Sequence, residues 1–164
     1  KAMEALHDTG VVGHIGVSNV TLEQLQMLKK VARVKPRFAQ IRCYATRNWD
    51  RDMRDFCAAN SIVYQGFSLL TANRQVLNDA DMKDLARRHN KTPAQVIFRY
   101  ALEGGMLPIT GTRNAGHMAQ DLDIFSFQLT VQDRRAIEAM AGEGGGMPFR
   151  VTIKRPGALP VDVH

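Results

Sequence analysis

Apolar residues fall along this chain in two rhythms. Four short runs, over 14–17, 37–41, 62–67 and 106–110, are rich in β-formers and nearly continuous in apolar character, which predicts strands of a parallel sheet covered on both faces. Between them the spacing turns helical. Thr21-Leu22-Glu23-Gln24 reads as a capping box opening a helix to about residue 34, with Leu25, Leu28, Val31 and Ala32 on one face. Asp50 is placed to cap a second helix, in which Met53, Phe56, Cys57 and Asn60 follow helical spacing. Two helices, over 81–89 and 93–103, follow the third run. The latter has Thr92 as N-cap, Pro93 at its first position, Gln95 three residues after the cap, and Gly104-Gly105 to stop it. Helices over 114–122 and 130–141 complete the pattern, with Val131, Ile137, Met140 and Ala141 predicted buried.

The order βαβαβααβαα predicts an α/β fold, because right-handed crossovers turn such alternation into a parallel sheet. Ahead of the first strand, residues 1–6 are already amphipathic, with Ala2, Met3 and Leu6 at i, i+1 and i+4. No initiator Met or N-cap precedes them, so further chain is expected upstream. Past residue 141 the composition changes. Gly142-Glu143-Gly144-Gly145-Gly146 and the prolines at 148, 156 and 160 predict a flexible Gly/Pro-rich tail over 142–164, after a single domain over 1–141.

Composition narrows the classes. The chain has 164 residues, of which 45% are hydrophobic, enough for a core of its own. No run approaches the roughly 18 apolar residues of a membrane span and no leader pattern opens the chain, so a cytoplasmic protein with no membrane partner is expected. The net charge is +6. Its lysines and arginines gather at helix ends, as in Lys29, Lys30, Arg33 and Lys35, or Arg87, Arg88 and Lys91, where they complement helix dipoles. That placement argues against a nucleic-acid partner. Cys43 and Cys57 lack metal spacing and are expected to be reduced structural thiols; the five histidines show no metal pattern either.

In a parallel α/β array ligands bind where strands end, and here those ends carry Ser18-Asn19, Gln40, Phe67-Ser68 and Thr110-Gly111-Thr112-Arg113. Together they resemble the aldo-keto reductase family over residues 1–141. Gly16-Val17-Ser18-Asn19 resembles the family stretch whose Ser and Asn hold the nicotinamide carboxamide, and Gln40 matches the Gln that shares the task. Gly66-Phe67-Ser68-Leu69-Leu70 resembles the segment whose aromatic ring stacks on the nicotinamide and whose loop, through Ser68 and Leu70, lines the pyrophosphate. Lys91-Thr92-Pro93-Ala94-Gln95-Val96 is similar to a family helix opening. Leu107-Pro108-Ile109-Thr110-Gly111-Thr112 is similar to the last strand and the adenosine-phosphate loop, and Gln120 and Asp121 to a pair near the adenine.

The resemblance implies parallel βα units forming the second half of a TIM-type (β/α)8 barrel. It implies a nicotinamide dinucleotide as cofactor, NADP with NAD as the alternative. Several departures stand out: Phe67 where the family has Tyr, Leu69 where it has Pro, Arg42 where it has Glu, and Ile109-Thr110 and His117 near the places of the family's Lys-Ser and Arg, with Arg113 as an alternative contact for a 2′-phosphate. The family's proton donor is a Tyr supported by Lys, Asp and His from the first half of the barrel. Tyr44, Tyr64 and Tyr100 lack those surroundings, and Tyr64 and Tyr100 are expected in the core. No catalytic residue is therefore assigned. The chain alone is expected to be inactive, with a small carbonyl substrate bound only when the first half is present. The competing reading is a catalytically dead half-barrel serving as a structural or interaction subunit. In either case open strand edges and an apolar inner face predict a homo-oligomer or a place in a complex.

Overall fold

A computed structural model describes residues 1–142. Its centre is a sheet of four parallel strands in sequence order: β1 (Gly16–Ser18), β2 (Phe38–Arg42), β3 (Val63–Phe67) and β4 (Leu107–Pro108). The helices are α1 (Ala2–Asp8), α2 (Leu22–Val31), α3 (Arg51–Ala59), α4 (Arg74–Asn78), α5 (Ala80–Arg88), α6 (Pro93–Glu103), α7 (Ala115–Leu122) and α8 (Val131–Met140). Two 3₁₀ turns, Ala45–Asp50 and Asp123–Ser126, lead into α3 and out of α7.

Local chemistry sets most boundaries. The capping boxes at Thr21/Gln24 and Thr92/Gln95 are both formed, and Pro93 opens α6. Gly105, at φ +77°, lets the chain turn after α6 into β4. Gly16 is required for a different reason: a Cβ there would lie 2.9 Å from the Phe38 carbonyl oxygen, so only glycine lets β1 and β2 approach this closely.

Burial alternates along the strands. Ala39, Ile41, Tyr64 and Gly66 are buried, while Phe38, Gln40, Val63, Gln65 and Phe67 are half-buried and Arg42 is exposed. The expectation of strands covered on both faces is thus corrected. The helices seal the first set into a core with Trp49, Leu85, Ile97, Tyr100 and Ile137, and the second set forms an opposite, inner face. That inner face is also more polar than expected, because Ser18, Gln40, Arg42 and Gln65 alternate with its apolar members.

Several local expectations are corrected as well. α1 buries nothing, and Met3 and Leu6 are exposed; Glu4 instead accepts hydrogen bonds from the Arg33 and Val34 amides at 2.8 and 3.0 Å, tying α1 to the end of α2. α2 stops at Val31, which is exposed, because Ala32 is already extended and the chain must straighten ahead of Pro36. β4 is short because Pro108 has no amide hydrogen to donate, although the Ile109 amide still reaches the Gly66 carbonyl at 2.8 Å. Val131 is exposed at the first position of α8, where only Ile137 and Ala141 of the predicted set are fully buried. α4 was not predicted. The tail expected over 142–164 lies, beyond Gly142, outside the described residues.

Candidate functional site

The strand register brings Ser18, Gln40, Gln65 and Leu107 into one row across the sheet, with Arg42 and Phe67 paired one step nearer the strand ends. Ser18 Oγ donates to the Gln40 carbonyl at 3.0 Å, and the Asn19 amide donates to the same oxygen at 3.0 Å. Gln40 Nε2 donates to Gln65 Oε1 at 3.2 Å. This leaves Gln40 Oε1 and the whole Asn19 carboxamide without a protein hydrogen bond among the described residues. Donor and acceptor capacity is therefore spare at the rim, as a primary carboxamide ligand requires.

The turns beside these groups are unusual. Asn19 and Ser68, each the first residue after its strand, are left-handed at φ 52° and 57°. Asn tolerates that conformation; Ser adopts it rarely, so the surrounding loop must hold it. The hold comes from Asn73, which is fully buried. Its Oδ1 accepts from the Ala45 amide at 2.7 Å, and its Nδ2 donates to the carbonyls of Cys43 and Leu69 at 3.0 and 2.8 Å. One side chain thus fastens the loop after β2 to the loop after β3, with Ser68, buried Leu69 and half-buried Leu70 between. Neither Asn73 nor Gln65 is marked by its local sequence. The strand period places Gln65 on the Gln40 face, and that was the one available signal.

After β4 the predicted phosphate loop is exposed apart from Thr112, which is partly covered. Thr110 Oγ1 donates to Asp121 Oδ2 at 2.7 Å, so two predicted site residues hold one another. Thr112 Oγ1 accepts from the Asn114 amide at 3.1 Å, and Asn114 caps α7 by accepting from the His117 amide at 3.1 Å. Gly111 and Arg113 are exposed, and no ion pair of Arg113 occurs among the described residues. Gln120 points outward while its carbonyl accepts from the buried Gln95 at 3.1 Å.

Of the three tyrosines, Tyr44 is half-buried with its ring centre 4.4 Å from the Arg47 guanidinium carbon, and the other two face carboxylates. Tyr64 donates to Asp50 at 2.7 Å and Tyr100 lies 3.4 Å from Glu138; burial, then the nearby acidic groups, push both phenols far above the ordinary tyrosine range. Burial pushes the Cys43 thiol up to about 12 and the Cys57 thiol to about 11, and both cysteines are free. Neither thiol is a nucleophile near neutral pH. Among the described residues no three His, Cys, Asp or Glu side chains cluster as metal ligands, and no helix is long and apolar enough to cross a membrane.

The chain matches the aldo/keto reductase family model over residues 1–141. It is 32% identical over 152 residues to human aldo-keto reductase family 1 member C3, covering 85% of this chain and 47% of that protein. It is 32% identical over 140 residues to glyoxal reductase of Bacillus subtilis, covering 85% and 50%. Among solved structures it resembles an aldo-keto reductase from a Medee basin deep-sea metagenome library, with a TM-score of 0.79, 27% identity, and coverage of 90% of this chain and 54% of that one. An aldo/keto reductase from Brucella melitensis gives a TM-score of 0.75 at 31% identity, covering 85% and 52%. The chain spans about half the length of these relatives, and its parallel βα units correspond to about half of their (β/α)8 barrel. The sheet order and these matches agree: this chain belongs to the aldo/keto reductase family.

Proposed function

We propose that residues 1–141 are the C-terminal, cofactor-binding half of an NAD(P)H-dependent reductase that converts aldehydes or ketones to alcohols in the cytoplasm. The observation that carries this reading is the spare amide chemistry of Asn19 and Gln40, set on the same rim as the Phe67 ring. Asn19 and Gln40, supported by Ser18, would hold the nicotinamide carboxamide through complementary donors and acceptors. The face of Phe67 would orient the ring. Ser68 and Leu70 would line the pyrophosphate, and Thr110, Gly111, Thr112 and the head of α7 would meet the adenosine phosphate with backbone amides. Gln120 and Asp121 lie on α7 beside this loop, where the adenine would rest. Arg113, exposed and without an ion pair among the described residues, supports NADP, with NAD as the alternative. When bound, the cofactor supplies a hydride to the carbonyl carbon.

Proton donation falls outside the described residues in this reading, because Tyr64 and Tyr100 are committed to Asp50 and Glu138, and Tyr44, its ring centre 4.4 Å from the Arg47 guanidinium carbon, has no Lys, Asp and His around its hydroxyl among those residues. The chain on its own therefore binds the cofactor and does not turn over. Titrating the folded chain into NADPH while following cofactor fluorescence tests this. Saturable binding is expected, and Asn19→Ala should weaken it by about 1–3 kcal/mol through the lost hydrogen bonds. An unchanged fluorescence signal with folded protein overturns the assignment.

A further inference from the structure

We propose that Arg42 makes this site discriminate between the two oxidation states of the nicotinamide cofactor, favouring the reduced, uncharged ring over the oxidised pyridinium. The inference rests on the reading that Phe67 is the stacking face. Arg42 is the last residue of β2 and pairs in register with Phe67; its guanidinium carbon stands 5.7 Å from the centre of the Phe67 ring. Among the described residues no carboxylate pairs with it, and its inner-face neighbours Ser18, Gln40 and Gln65 are neutral. A full positive charge therefore sits unneutralised beside the ring that would receive the nicotinamide.

Oxidised and reduced nicotinamides have nearly the same outline and carry the same phosphates. They differ by one positive charge, located on the ring. An aromatic face alone attracts a cation, so Phe67 by itself would favour the oxidised form. Arg42 already occupies that attraction and adds like-charge repulsion. Two unit charges roughly 10 Å apart still interact appreciably near a protein surface, and an exposed guanidinium is partly screened by salt. The preference should therefore be of the order of three- to tenfold, and it should shrink as salt rises. It would speed release of the spent cofactor and bias the site toward carbonyl reduction.

Isothermal titration calorimetry with NADPH and NADP⁺ on the 164-residue chain and on Arg42→Lys, Arg42→Gln and Arg42→Glu provides the test. The ratio of the two dissociation constants isolates the ring charge, because the phosphate contacts are common to both forms. Arg42→Lys should keep the wild-type ratio. Arg42→Gln should lower the oxidised-to-reduced ratio about three- to tenfold, and Arg42→Glu should lower it further, with the variants confirmed folded by circular dichroism. A purely structural Arg42 would shift both affinities together and leave the ratio constant across the series; that result overturns the inference while dinucleotide binding stands. If wild-type protein binds neither form, the dinucleotide assignment fails first, and this inference with it.

Discussion

Asp50 stands at the head of α3 without capping it, and the reason lies in its own backbone. Asn48, Trp49 and Asp50 form a run of three left-handed residues with φ of 53°, 52° and 52°. That turn swings the carboxylate away from the helix amides, and it accepts the Tyr64 hydroxyl instead. The expected N-cap is thereby corrected. Burial raises the Asp50 pKa above the usual carboxylate value, outweighing the Tyr64 hydrogen bond and the nearby Arg47 and Arg54 charges. A raised folded-state pKa means that the ionised carboxylate costs stability at neutral pH, and that the cost disappears as pH falls and both states become protonated. Asn suits the left-handed region and still offers Tyr64 an acceptor. Asp50→Asn should therefore raise the urea midpoint at pH 7, and the gain should shrink as pH falls through the acidic range. A gain of constant size across that range would exclude desolvation as its cause.

At the scale of elements, the site depends on how loops are fastened more than on the strands that carry it. Asn73 lies in the connection between β3 and α4, and its side chain satisfies three backbone groups in two loops. Removing it leaves the Ala45 amide and the Cys43 and Leu69 carbonyls buried without partners, at about 1–3 kcal/mol for each unsatisfied group. Relaxation and water entry will recover part of this. Asn73→Ala should destabilise the fold by about 2–4 kcal/mol in urea unfolding. It should also weaken NADPH binding, because Ser68 and Leu70 lie on the loosened loop; full stability in the variant would mean that the two loops hold their places without this link. The capping boxes, by contrast, act within single helices, which is why Thr21/Gln24 and Thr92/Gln95 were legible in the sequence and Asn73 was not.

For the whole molecule, the decisive feature is the uncovered side of the sheet. β1 and β4 are the edges of the described sheet, and its inner face carries Phe38, Val63 and Phe67 among polar neighbours. Unpaired edges and half-buried aromatics favour association, although Arg42, Gln40 and Gln65 make the face less adhesive than an apolar one. The 164-residue chain is expected to associate at micromolar concentration, read as a mass above 18.3 kDa by light scattering. A monodisperse species at that mass would show that the polar residues of the inner face keep it in solution unaided.

Local chemistry let the sequence determine the elements and their order. Period, caps and glycine stops act over a few residues, so the parallel sheet, the two capping boxes and the fates of Tyr64 and Tyr100 followed from the sequence itself. The motifs placed Ser18, Asn19 and Phe67 at strand ends, where they stand; Gln40, expected at an end, lies mid-strand, because β2 continues in register with β3 for two more residues to Arg42. Tertiary structure alone decided which face of each strand is covered, because continuous apolar runs do not say on which side helices will lie. It also decided the long-range polar contacts, among them Gln40 on Gln65, Thr110 on Asp121, Asp50 on Tyr64, and Asn73 across two loops. A side chain's hydrogen-bonding partner depends on what the fold brings within about 3 Å, and residues 25 or 30 positions apart carry no mutual signal along the chain.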